Sequence, residues 1–131
     1  LCFTCNKAHH LSAESEVNWK QAHQHASIGI SPGNSLRTLA DQAFMRAGLT
    51  YDPEISASHT STLLGMIDSG LGSAILSSTI ASLHAHENLR FIPIVKPIQY
   101  RSIGLITRKE THRQIIDEFN LMLRKQVSLK L

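Results

Sequence analysis

An α/β fold follows from three features of the amino-acid sequence. Residues 28–47, IGISPGNSLRTLADQAFMRA, read as strand, turn and helix. Residues 60–76, TSTLLGMIDSGLGSAIL, repeat that logic in compressed form, with a helix leading into an apolar strand. Such a succession of strand, helix and strand over a short span predicts right-handed crossovers and a largely parallel sheet. Composition is the third feature. With 131 residues, 42% of them hydrophobic and 18% charged, the chain can bury one globular core and lacks the polarity of a disordered protein. Charged or histidine residues interrupt every apolar run before it reaches bilayer length.

Each element has a local justification. Leu1 to Cys5 alternates and carries β-branched and aromatic residues, as a strand does, and 6–15 is a polar loop. Val17, Trp19 and Ala22 give a brief helical turn between Glu16 and His23. Ser27 to Ser31 is the strand that feeds the first long helix. Its entrance, Ser31-Pro32-Gly33-Asn34-Ser35, combines a fixed φ, a permissive glycine and short side chains that bond nearby backbone, with Asn34 or Ser35 as the N-cap. Leu36, Leu39, Ala40, Ala43, Phe44 and Ala47 then fall on one helical face, and Gly48 supplies the stop. Tyr51-Asp52-Pro53 is a turn and Glu54 to Ser58 a second strand.

The hydroxyls of Thr60 and Ser61 are expected to cap a helix carrying Leu63, Leu64 and Ile67 and ended by Gly70, before the strand Ser73 to Leu76. Ser77 to Ala85 reads as a short helix, and Leu89 to Val95 and Arg101 to Thr107 as strands. The final helix, His112 to Lys125, gathers Ile115, Ile116, Phe119, Met122 and Leu123 on one face. That face lacks an evident partner surface, which predicts a dimer or larger species.

Most catalytic chemistry is excluded by motif. The sequence holds no phosphate-binding G-x-x-x-x-G-K-[ST] loop, no H-E-x-x-H, no G-x-S-x-G elbow and no G-x-G-x-x-G, so no enzyme activity is expected. A net charge of +3 invites a nucleic-acid reading. However, the basic residues of the last third, from Arg101 to Lys130, are spread among acidic ones and no aromatic platform is interleaved with them, so they read as a solvated face. Cys2 and Cys5, near His9 and His10, have the spacing of a tight redox pair or zinc loop, but also fit a strand in which cysteines serve as small hydrophobes. The pairs His23-x-His25 and His84-x-His86 read as solvated or capping histidines, with no metal or other cofactor. No basic n-region and apolar stretch opens the chain, and a cytoplasmic location is expected.

Two helix entrances rich in hydroxyl and amide groups, Ser31 to Ser35 and Ser58 to Ser61, both follow strands. Helix N-termini present free N–H groups and the positive end of the dipole. Opening on the same sheet edge, they would line a cleft suited to a small polar or carboxylated ligand, held without chemistry.

The order of several segments is similar to that of a known family. These are Leu36-x-x-Leu39 through Ala43-Phe44 to Ala47-Gly48-Leu49, then Thr62 to Leu76 with its Ser69-Gly70-Leu71-Gly72-Ser73-Ala74-Ile75-Leu76, then Phe91-Ile92-Pro93-Ile94, then Arg101 to Lys109. Together with His9-His10-Leu11-Ser12 and Trp19, they resemble the effector-binding domain of LysR-type bacterial transcription regulators across essentially the whole chain. The resemblance implies a fold like that of type 2 periplasmic solute-binding proteins, with two α/β lobes and a small-molecule inducer between them. It also implies a fragment. About His10 to Pro97 would be the second lobe, while Leu1 to Lys7 and Tyr100 to Leu131 would cross back to a largely missing first lobe. By the family pattern Ser31, Gly33, Asn34 and Ser35 would contribute to the effector cleft, with Thr60 at its margin. Ser77 stands where the family usually has proline. DNA contact would belong to a missing N-terminal winged helix-turn-helix, and the helix from Leu36 to Ala47 would pack against another subunit. Two alternatives stand beside this reading: a fragment of a solute-binding protein, and a small metal-binding domain using Cys2, Cys5, His9 and His10.

Overall fold

The computed structural model of the chain describes residues 1–83, 87–106 and 114–128. It divides into two units, Leu1–Arg101 and Ser102–Leu131.

In the first unit, strand β1 (Cys2–Asn6) lies between two later strands, antiparallel to both β5 (Ala74–Leu76) and β6 (Leu89–Val95). β2 (Val17–Asn18) adds to the outer side of β6 in parallel, giving the order β2-β6-β1-β5. A second, two-stranded sheet pairs β3 (Ile28–Ile30) with β4 (Ile55–Ala57) in parallel. It abuts the larger sheet where the Ile28 amide donates to the Ser73 carbonyl at 3.0 Å. The sheet structure is therefore mixed and not largely parallel as the sequence predicts. Strand direction depends on how distant segments pair, and a window containing one helix and its neighbouring strands does not contain β1.

Side-chain alternation explains why β1 is central. Phe3 and Cys5 join one core and Cys2 the other, so the strand is buried on both faces. The first core takes Trp19 and Ala22 from α1 (Trp19–His25) and Ala40, Ala43 and Phe44 from α2 (Ser35–Arg46). The second takes Leu63, Leu64 and Ile67 from α3 (Thr60–Asp68), with Ile28 and Leu76. Helices thus cover both sides of the sheets. Aromatic geometry orders the first core: Trp19 meets Phe44 edge-on at 5.0 Å and Phe44 stacks on Tyr51 at 4.7 Å. The polar end of each outer ring is satisfied, since the Trp19 indole donates to the Pro97 carbonyl at 2.8 Å and the Tyr51 hydroxyl to the Ile28 carbonyl at 3.1 Å.

Local chemistry sets the helix ends. Asn18 and Gln21 form a reciprocal capping box on α1. Asn34 caps α2, and Gly48 and Gly70 take positive φ after α2 and α3. The expected hydroxyl caps of α3 are absent: Thr60 is already inside the helix, and the N-cap is His59, whose side chain makes no capping bond. Gly29 admits no side chain, because a Cβ there would lie 2.5 Å from Cγ of Pro53. The short α4 (Thr79–Leu83) leads toward β6, and His84 and His86 lie outside the described residues.

In the second unit, residues 102–106 are exposed and have no regular structure, so the strand expected from Arg101 is not formed over 101–106; Thr107 lies outside the described residues. α5 (Gln114–Ser128) exposes Ile115, Phe119, Leu121 and Met122. Ile103, Leu105, Phe119 and Leu123 line a groove of about 710 Å³ within this unit.

Candidate functional site

The parallel pairing of β3 and β4 decides where the two helix entrances lie. Ile30 faces Ala57 in register, and the Ser31 amide donates to the Ala57 carbonyl at 3.0 Å, so the strands end level. α2 follows β3 and α3 follows β4, hence both helices begin at one sheet edge. Ser31, Gly33, Asn34 and Ser35 at one entrance and Thr60 at the other share that edge. Ser31 and Thr60 are half-buried and residues 32–35 are exposed, which makes the edge an open rim.

The rim is ordered by its own hydrogen bonds. Gly33 has φ 91°, a turn conformation that side chains resist. Asn34 Oδ1 accepts from the Leu36 amide at 2.8 Å, and the Asn34 carbonyl accepts from the Thr38 amide at 3.0 Å. The Asn34 Oδ1 is thus committed to the cap, which leaves the side-chain amide nitrogen as the donor it could offer a ligand. Ser35 Oγ accepts from Arg101 Nη2 at 3.4 Å. A second guanidinium lies just behind: Arg37 donates to the Ile30 carbonyl at 3.2 Å, pairs with Asp41 at 2.7 Å and sits 5.0 Å over the Tyr51 ring. With the Arg37 charge offset by Asp41, Arg101 and the two helix N-termini are what favour an anion at this edge. The sequence reading omits Arg101 from the site because its spacing places it with the other basic residues of the last third, and only the return of the chain from β6 brings it to Ser35.

The cysteines and histidines separate. Cys2 and Cys5 are free, buried and in different cores, and the Cys2 thiol donates to the Leu76 carbonyl at 3.3 Å. Burial raises the pKa of both thiols, that of Cys5 to about 11, with Arg90 pulling weakly the other way. They stay protonated and do not join His9 and His10 as a ligand set. His23 Nε2 is 2.8 Å from the Thr50 carbonyl. His25, by contrast, meets His9 and His10, with one nitrogen of each ring within 4.8 Å of the others. Burial chiefly, then the neighbouring imidazoles, lowers the pKa of His9, and burial then His10 lowers that of His25.

Comparison with known proteins agrees with this architecture. The family described as LysR substrate binding domain matches residues 1–127. The uncharacterized HTH-type transcriptional regulator YbhD of Escherichia coli (strain K12) is 30% identical over 107 residues, covering 81% of this chain and 33% of YbhD. The chain thus spans one third of the length of that relative. The structure of HinK, a LysR family transcriptional regulator from Pseudomonas aeruginosa, superposes with a TM-score of 0.77 at 18% identity, covering 95% of this chain and 44% of HinK. The BenM effector binding domain with its effector benzoate superposes with a TM-score of 0.74 at 15% identity, covering 98% of this chain and 60% of that one. These likenesses carry the fold, which is that of LysR effector-binding domains and resembles type 2 periplasmic binding proteins. With the match over nearly all of its length, the chain belongs to the LysR substrate binding domain family.

Proposed function

We propose that the chain is the effector-sensing part of a LysR-type transcription regulator, and that it holds a small carboxylate at the edge where α2 and α3 begin. The observation that carries this reading is Arg101 on Ser35 Oγ at the N-terminus of α2, which places a guanidinium beside free helix N–H groups. A carboxylate there gains both a charge partner and backbone donors. Ser31, Gly33 and Asn34 shape the rim and Thr60 bounds it. The unit Leu1–Arg101 would supply one wall of the cleft, with DNA contact and the opposite wall supplied by other parts of a longer, self-associating and cytoplasmic regulator. The role read for the site is binding and release; among the described residues no nucleophile is paired with a base at the rim.

The test is thermal unfolding with a panel of small carboxylates, benzoate included because BenM is known with it. At least one should raise Tm in a saturable manner. Arg101→Gln and Ser35→Ala should each weaken that ligand by about tenfold, the scale of one charge-assisted hydrogen bond. A panel without effect, or a ligand indifferent to both substitutions, rejects the assignment.

A further inference from the structure

Away from the α2 and α3 entrances, the fold brings three imidazoles together across the join between the bend after β1 and the end of α1. His9 and His10 stack with ring centroids 4.4 Å apart, and His25 meets them edge-on at 5.4 and 4.5 Å. We propose that His9, His10 and His25 form a binding site for a divalent transition-metal ion of the Zn²⁺ class, which ties the His10–Ala13 turn to the last turn of α1.

Three observations support the site. Imidazole nitrogens are preferred ligands for zinc, and three in reach of one point leave a fourth position for water or an outside ligand. Bound tetrahedrally at ~2.0–2.1 Å, such nitrogens would be roughly 3.3 Å apart. They lie within 4.8 Å here, and His10 is exposed and able to turn inward. His25 occupies the last turn of α1, at the negative end of the helix dipole. Its side also lines a depression of about 350 Å³ with Asp52 and Glu54, whose carboxylates enrich cations locally.

His9 brings a specific consequence. Its Nδ1 accepts from the Leu11 amide at 3.1 Å, so in the neutral ring Nε2 carries the proton. A metal on Nε2 requires that proton to leave and Nδ1 to become the protonated nitrogen, whereas a metal on Nδ1 displaces the amide directly. Either way the Leu11 N–H loses its acceptor when the metal binds.

The experiment is titration of the full chain, free of any affinity tag, with ZnCl₂ and CoCl₂. A His84→Ala/His86→Ala background removes the other H-x-H pair. One equivalent of Zn²⁺ is expected, with visible Co²⁺ bands of low-symmetry coordination and a shifted Leu11 amide resonance. His10→Ala, at an exposed position that the core does not need, should weaken Zn²⁺ by more than the ~10-fold typical of losing a supporting group. His25→Ala should do the same, and exposed His59→Ala should leave binding unchanged. Less than one equivalent, or wild-type affinity in His10→Ala, overturns the proposal.

Discussion

Burial fixes the protonation of particular side chains, and each leaves a measurable trace. The Tyr51 phenol is pushed up to about 12, first by burial and then, in the opposite sense, by Arg37. The folded state therefore holds this proton more tightly than the unfolded chain does, whose tyrosine titrates near ~10. The resulting stability is complete below about pH 10 and is lost as pH rises toward about 12. Denaturant titrations across that window should show stability falling with pH, and Tyr51→Phe should remove this slope. The same substitution should lower neutral-pH stability by about 1 kcal/mol, because the Ile28 carbonyl loses a donor. Cys2 and Cys5 give a second trace. Protonated and buried, both should resist a thiol reagent at pH 8 in the native chain and react fully in denaturant. Rapid modification of either thiol under native conditions would show that β1 is not held as described. Residue identity was legible at these positions in part: the strand pattern Leu1 to Cys5 made the thiols readable as small hydrophobes, whereas nothing local linked Tyr51 to Ile28.

At the scale of elements, legibility follows how local the cause is. β6 runs from Leu89 to Val95 as its apolar run predicts, and α2 begins at Ser35 because Asn34, one of two candidates, takes the cap. Asn34→Ala should lower stability by about 1 kcal/mol, a drop in Tm of roughly 4–8 °C read by calorimetry, while Ser35→Ala should change Tm little. The start of α3 differs from the sequence expectation, since a hydroxyl-rich stretch looks like a cap wherever in it the first helical φ falls; His59 holds that place without a side-chain bond. Arg101 to Ile106 has the alternation of a strand yet has no partner strand among the described residues, and a strand exists only when its hydrogen bonds are met. The helix entrance proposed as the effector rim could be read from sequence for the same reason that α2 could: Ser31 to Ser35 is one continuous stretch leading into the helix. Arg101 and the His9, His10 and His25 cluster were not, because each joins residues that only the folded chain makes neighbours.

For the whole molecule, the exposed apolar face of α5 is the feature that calls for a partner. Ile115, Phe119 and Met122 are all more than 40% exposed, and such a stripe self-associates in water. The chain is expected to sediment as a dimer or larger species, and Ile115→Glu with Phe119→Glu should shift it toward monomer while leaving the circular dichroism of the folded unit unchanged. A wild-type chain that sediments as a monomer at high concentration would contradict this. The class of fold was legible from two strand, turn and helix junctions, but the direction of β1 was not, since its partners lie far along the sequence.

That placement of β1 has a consequence for biosynthesis. Within this unit β1 is synthesised before both of its neighbours and pairs Cys2 with Leu76 on one side and with Pro93 on the other, so at least one of its edges stays open until β6 has been made. Nascent chains shorter than about residue 95 lack the last central pairing and present a sticky apolar ribbon to solvent. Chaperone capture should therefore persist from the emergence of β1 and fall abruptly once β6 emerges, a vectorial delay imposed by topology and independent of any effector.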